Sequence, residues 1–414
     1  MRVNPPLRAS RKRVNLSAVA NVTNVAGRWS VIVLGLSIPI SVALDNILLG
    51  LIGLFWLAGG QWRSKVAVAR ANPVAMAALM LFGVLACGLL YGNGRPGDVT
   101  KYIDLLFVPM LIWFFGDERT RVLGLRMFCI AVIASIAVSH LASLGALVDN
   151  PWLRRTPRFV TGFKYTITHG LIVGYAAYVF ALFARDETTR KLRYVWIALA
   201  VIAVHNVVFM TIGRTGHLIL VALFTYFFAV SYGRRGLLAM AVLAAVTFTA
   251  AYTTSQTFEQ RFDAAAEQLR DWRQGQASAT SIGLRLEYYT NSLLLVRENP
   301  VIGVGTGGFS RAYASVALPQ NMEPTDNPHN EYLMIAVQTG LVGLAFLLHL
   351  FWRHFRSAGL LQDRFYRHLG RGLLLTFAIG CLFNSLLLDH TEGLLFAWLT
   401  ALIFSSPKKI SEAA

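Results

Sequence analysis

The chain has 414 residues, 55% of them hydrophobic and 14% charged, with a formal net charge of +17. Soluble domains carry roughly 25% charged residues, so this composition excludes an ordinary soluble fold. The apolar residues run in continuous blocks, which excludes a membrane β-barrel, whose strands alternate over about 10 residues.

A bilayer core of about 30 Å takes around 20 helical residues to cross. Residues 1–28 are basic and polar without an apolar leader core, and are read as an uncleaved cytoplasmic segment. Twelve spans are predicted after it: 29–44, 46–62, 73–91, 102–116, 121–147, 169–184, 194–212, 216–233, 236–254, 331–352, 370–388 and 393–406. The expected fold is therefore all-α, a polytopic membrane helical bundle of about twelve transmembrane helices. Nine lie in 29–254 and three in 330–406, separated by a loop domain over 255–329 and followed by a tail at 407–414. Cys87, Cys129 and Cys381 fall in apolar blocks at scattered spacing and read as packing residues, not as a disulfide or metal set.

Placing both termini in the cytoplasm puts 24 of the 38 Lys and Arg residues on that face. The positive charge is then topological, facing anionic membrane lipids, and calls for no nucleic-acid partner. Two segments on the other face break the pattern. One is 148–168, where Arg154, Arg155, Arg158 and Lys164 stand in a short loop that topology disfavours for cations. Contact with lipid phosphates is one reading of them; an anionic ligand is the other, since Arg suits bidentate phosphate recognition and Lys point-charge neutralisation.

The second is the loop 255–329. Phe258, Phe262, Ala265, Leu269 and Trp272 recur at helical spacing, which predicts an amphipathic helix lying on the membrane or capping the bundle. "QGQASATS" reads as a connector, "IGLRLEYYTNSLLLVREN" as a second helix ended by Asn299-Pro300, and "VIGVGTGGF" as a glycine-rich turn. Those glycines lack the strand–turn–helix context of a nucleotide loop. Close backbone approach to the membrane or a ligand explains them better.

His329, in "DNPHNEYLM", is the candidate general base. Asp326 or Asn327 is expected to cap the helix that follows, whose N-terminus disfavours a protonated imidazole. The bland alternative is an interfacial histidine with its tip in water. Arg214 in "TIGRTGH" stands at a minimal turn between glycines, where an arginine at membrane depth faces a cavity or snorkels outward. Arg285, beside Glu287, Tyr288 and Tyr289, is a third candidate or an ordinary solvated residue. Asn330, and Asp389 and His390 in the last outward turn "LLDHTEG", could bind or orient substrate; His169 and His217 read as polar helix ends. No His-Glu-x-x-His spacing occurs, so no catalytic metal and no cofactor are expected.

The run "ENPVIGVGTGGF" followed by "NPHNEYLMIAVQTGLVGLAFLL" resembles the O-antigen ligase and O-antigen polymerase superfamily of membrane glycosyltransferases, most closely the ligases. Twelve spans and a large loop between the ninth and tenth extend the resemblance over nearly the whole chain. It implies an enzyme of lipopolysaccharide biosynthesis in the Gram-negative inner membrane, with its active site at the periplasmic face. The donor would be an undecaprenyl-diphosphate-linked glycan and the acceptor a sugar hydroxyl of lipid A–core oligosaccharide. The family histidine maps onto His329, and its outward arginines onto Arg214 and Arg285, with Arg158 and Lys164 placed less securely. A polymerase or a protein O-oligosaccharyltransferase of the same superfamily is the nearest alternative, and a lipid-linked glycan transporter or flippase a more distant one.

Overall fold

The computed structural model describes residues 16–145, 155–156, 159–211, 213–274, 280–318 and 322–405. The first part of the chain forms α1 (Leu16–Ser37), α2 (Val42–Ala58), α3 (Trp62–Ala71), α4 (Pro73–Cys87), α5 (Pro96–Thr100), α6 (Asp104–Phe114) and α7 (Glu118–Ser143). A short antiparallel ribbon of β1 (Arg155–Thr156) and β2 (Phe159–Val160) follows, the one strand pair among the described residues of an otherwise helical chain. Then come α8 (Thr166–Asp186), α9 (Arg190–His205) with a π-helical continuation over Asn206–Met210, and α10 (Arg214–Thr254). The loop domain holds α11 (Gln256–Arg273), α12 (Ser281–Glu298) and α13 (Phe309–Ala317), and α14 (Glu331–Leu360), α15 (Arg364–Gly380) and α16 (His390–Phe404) close the bundle.

Among the described residues six helices are long and apolar enough to cross a membrane, or seven if α2 and α3, bent by 118°, make one broken span. Three shorter apolar helices, α4, α6 and α16, lie where spans are predicted. The chain is thus a polytopic helical membrane protein. Two predicted spans, 216–233 and 236–254, form the single element α10, broken at Gly233. The chain folds back there, since a Cβ on Gly236 would meet the Phe228 carbonyl at 2.1 Å.

The core surrounds α8 and α16, which are buried along most of their length. Trp398 of α16 packs edge-on to Phe115 and donates from its indole to the Val31 carbonyl at 2.8 Å, tying α16 to α1 and α6. A buried tryptophan needs that hydrogen bond, because its N–H would otherwise be desolvated without return. The cysteines are all free thiols. Cys129 and Cys381 are buried, but Cys87 is exposed, so it is not a packing residue as expected.

Three sequence expectations change. The span predicted over 370–388 starts earlier and ends at Gly380, and residues 381–389 form a turn instead of a last helical stretch. Asn330, not Asp326 or Asn327, caps α14, its Oδ1 accepting from the Leu333 N–H at 3.0 Å. The helix α13 was not foreseen; nine residues are too few for a clear period.

The glycine-rich segment explains a break in α14. Thr339 and Gly340 leave helical geometry, Gly340 at φ +64°, which frees backbone groups in mid-helix. Residues 300–305 fill the break. Val304 and Gly305 donate to the Val337 and Gln338 carbonyls at 2.9 and 2.8 Å, while Leu341 and Val342 donate to the Pro300 and Val301 carbonyls at 2.8 and 3.2 Å. Irregular backbone is tolerated at membrane depth when protein satisfies it in this way. The close approach expected of these glycines is therefore to other backbone: a Cβ on Gly305 would stand 2.2 Å from the Gly92 Cα.

Candidate functional site

The turn 381–389 is a hub at the end of the bundle that carries the loop domain. The Glu331 N–H donates to the Cys381 carbonyl at 2.8 Å, and Asn330 Nδ2 donates to the Leu382 carbonyl at 3.1 Å. From α12, the Tyr289 hydroxyl donates to the carbonyls of Leu382 at 2.8 Å and His329 at 3.2 Å. Asn384 Nδ2 donates to Thr215 Oγ1 at 3.0 Å, and Ser385 Oγ donates to Asn327 Oδ1 at 2.8 Å. That same oxygen accepts the His329 N–H at 2.8 Å. The buried Glu331 carboxylate accepts from the Leu387 N–H at 2.8 Å. Four segments distant in sequence, the starts of α10 and α14, one face of α12 and this turn, are thereby held together.

His329 sits two residues before α14 with φ +53°, a left-handed conformation uncommon for any residue but glycine, although histidine is among the types enriched there. The fold grips its backbone from both sides, through Asn327 and Tyr289. Its half-buried ring lies 6.3 Å from the Tyr288 ring. Among the described residues neither ring nitrogen has a hydrogen-bond partner, so both remain open to a ligand. Burial lowers the His329 pKa below its ordinary 6.5, Arg285 lowers it further, and Asp326 opposes them. The imidazole is neutral near pH 7 and able to accept a proton.

Arg285 stands on the same face of α12 as Tyr288 and Tyr289, one turn away, within electrostatic reach of His329 and Tyr289. Arg214 is the first residue of α10, half-buried, next to the Thr215 that receives Asn384. The structure thus brings His329, Asn330, Arg285 and Arg214 around one turn.

A second, acid-rich cluster lies where α16 begins. Lys164 is buried, with its Nζ 3.7 Å from Asp45 Oδ2 and 3.3 Å from Thr391 Oγ1. His390 Nδ1 is 3.2 Å from Asp104 Oδ2, and Thr168 donates to Glu392 at 2.6 Å. Asp389 stands at the N-cap of α16 and joins this cluster to the hub. Of the 148–168 cations, Arg155 lies on β1, while Arg154 and Arg158 fall outside the described residues. Among the described residues, no group of three or more His, Cys, Asp or Glu is placed to hold a metal ion.

His169, read as a helix end, is buried in a polar network, its Nε2 2.8 Å from Asn206 Oδ1. His217 meets the Gly213 and Val208 carbonyls. Residues that sequence reading missed at the site are Tyr288, Tyr289, Asn327, Glu331 and Ser385. Only the Tyr-Tyr pair one turn after Arg285 gave a signal, since an acid in a first helical turn and a serine in an apolar block are both commonplace.

Residues 197–348 match the family model described as O-antigen ligase. An uncharacterized protein of Haemophilus influenzae is 25% identical over 141 residues, which make up 33% of this chain and 35% of that protein. The match therefore spans about a third of the relative's length. The matched range 197–348 is similar to the O-antigen ligase family model and holds Arg214, Arg285 and His329.

Proposed function

We propose that this protein is an O-antigen ligase, a glycosyltransferase that moves a glycan from undecaprenyl diphosphate onto a sugar hydroxyl of lipid A–core oligosaccharide. The observation that carries this reading is the convergence of Arg214, Arg285 and His329, all within the family-matched range, on one turn at one end of the bundle. In this reading the protein spans the Gram-negative inner membrane twelve times, with both termini cytoplasmic and the 255–329 loop periplasmic. A reporter fused at Gln276 that reads out in the cytoplasm would overturn the orientation.

His329 takes the proton of the acceptor hydroxyl as its oxygen attacks the anomeric carbon. The bond from that carbon to the diphosphate oxygen breaks, giving inversion in one displacement. The negative charge that develops on undecaprenyl diphosphate is met by Arg214 and Arg285, groups held in place before the reaction. A diphosphate leaves without needing a proton, so one base suffices where an inverting glycosidase uses two carboxylates. Arg154, Arg155 and Arg158 are assigned further contacts to the anionic substrate, Lys164 stays with Asp45 and Thr391 in the acid-rich cluster, and Asn330, Asp389 and His390 form the wall against the glycan.

The test is reconstitution of the purified chain with undecaprenyl-diphosphate glycan and lipid A–core, without added nucleotide or metal. Glycan-capped lipid A–core is the expected product. Polymerised donor with uncapped lipid A–core would instead favour a polymerase, and glycan translocation without transfer would overturn the enzymatic reading.

A further inference from the structure

At the end of the bundle away from His329, cationic groups gather where α8, α10 and α15 meet. Arg185 has its side chain only 9% exposed and pairs through Nε and Nη2 with Asp186 at 2.7 and 2.8 Å. Its Nη1 is buried with no hydrogen-bond partner among the described residues, and the same holds for Arg371 Nε and Ser231 Oγ.

Arg185 and Arg371 both stand near Tyr226, five residues before Ser231 on α10. In the α8–α10 pair Gly170 packs on Gly216, and the Tyr178 ring lies 6.4 Å from those of Tyr226 and Phe227. Two more turns of that register bring Arg185 to the level of Ser231. Tyr226 stands within electrostatic reach of Arg185, Arg367 and Arg371. His368, 2.9 Å from the Tyr226 hydroxyl, is within reach of Arg185, Arg364, Arg367 and Arg371. Buried donors without acceptors are costly, and buried guanidinium groups more so.

Arg185 also lines a cavity of about 690 Å³, together with Arg193 and Tyr232. Its walls come from α8, α9 and both halves of α10, and they are apolar: Ile197, Val204, Leu220, Phe224, Met240 and Leu243 among them. An apolar chamber inside a membrane bundle, ending on unsatisfied cationic donors, has the two-part chemistry of a lipid.

We propose that this chamber binds one anionic phospholipid, its phosphate on Arg185, Arg371 and Ser231 and an acyl chain along the α8–α10 cavity. A free inorganic anion would satisfy the donors but leave the apolar chamber unused. The donors lie at the end far from His329, so the headgroup site does not depend on the transfer reading, while the cavity runs on to His217 and Phe258 near the start of α10.

The test uses the full chain, stripped of lipid in detergent and offered phosphatidylglycerol, with retention counted by native mass spectrometry. One retained molecule per chain is expected. Arg371→Gln should lower retention by about tenfold or more, the scale of one charge-assisted hydrogen bond. Ala244→Phe, which fills the chamber and leaves every arginine in place, should lower it similarly; this variant carries the test alone if Arg371→Gln fails to fold. Wild-type retention in either folded variant would overturn the site. Displacement of the lipid by millimolar inorganic phosphate alone would assign the donors to a free anion and overturn the lipid.

Discussion

His329→Gly separates a catalytic histidine from a structural one, because the backbone here already has a glycine's conformation. At φ +53° a residue with a Cβ pays about 1–2 kcal/mol relative to right-handed geometry. Glycine removes that strain but has more entropy to lose on folding, about 0.5–1 kcal/mol. The hydrogen bonds that hold this residue use its N–H, to Asn327, and its C=O, from Tyr289, and a glycine keeps both. What disappears is a half-buried ring beside Tyr288. Stability should therefore change by no more than about 1 kcal/mol. Transfer should fall about 10²-fold or more, the scale of general-base catalysis. Denaturant unfolding of the purified variant, paired with turnover in proteoliposomes, reads both quantities on one preparation. A loss of stability above about 3 kcal/mol with turnover falling only as the folded fraction falls would mean that the ring is structural. Near-normal turnover would move the base elsewhere, with Asp389 and His390 next to test.

The pH–rate profile of the wild type should rise through a single group below pH 6.5 and stay flat above it, because burial and Arg285 both favour the neutral imidazole. Arg285→Gln should move that midpoint upward, since removing a cation favours the protonated form; a midpoint that stays put or falls would exclude Arg285 from the field at His329. Arg214→Ala should cost about 1.5–3 kcal/mol of transition-state stabilisation, roughly 10- to 150-fold in rate, with lysine restoring the charge but not the planar fork; full donor turnover in the alanine variant would mean that the side chain only snorkels. Gly340→Ala should prevent folding, since φ is +64° and the new Cβ would stand 2.1 Å from the Val301 carbonyl, breaking the four hydrogen bonds that seal α14; a stable, normally inserted variant would refute that account of the break.

The membrane class, the helical content and the position of most apolar helices were legible in the sequence, because block length against bilayer thickness is a one-dimensional property. Two helices of the loop domain were legible for a related reason: the aromatic spacing from Phe258 to Trp272 and the Asn299-Pro300 stop are local signals, answered by α11 and α12. Arg214 could be named because an arginine at membrane depth is costly, His329 because it stands at a helix start, and Arg285 because it sits beside a Tyr-Tyr pair in the loop that the resemblance covers.

Which of them meet was decided only by the tertiary structure. Nothing local says that residues 381–389 leave the helix to receive Thr215, Asn327, Tyr289 and Glu331, because each of those bonds joins segments far apart in the chain. Lys164 looked like a free outward cation, yet it is folded against Asp45, 119 positions earlier in the numbering. The glycines of 303–308 could be read as permissive but not as filling a broken helix, since their partners in α14 and beside Gly88 and Gly92 are brought to them by packing alone. Residue type and spacing thus marked the candidate groups, and long-range hydrogen bonds to a buried backbone, which no local period records, decided where those groups stand.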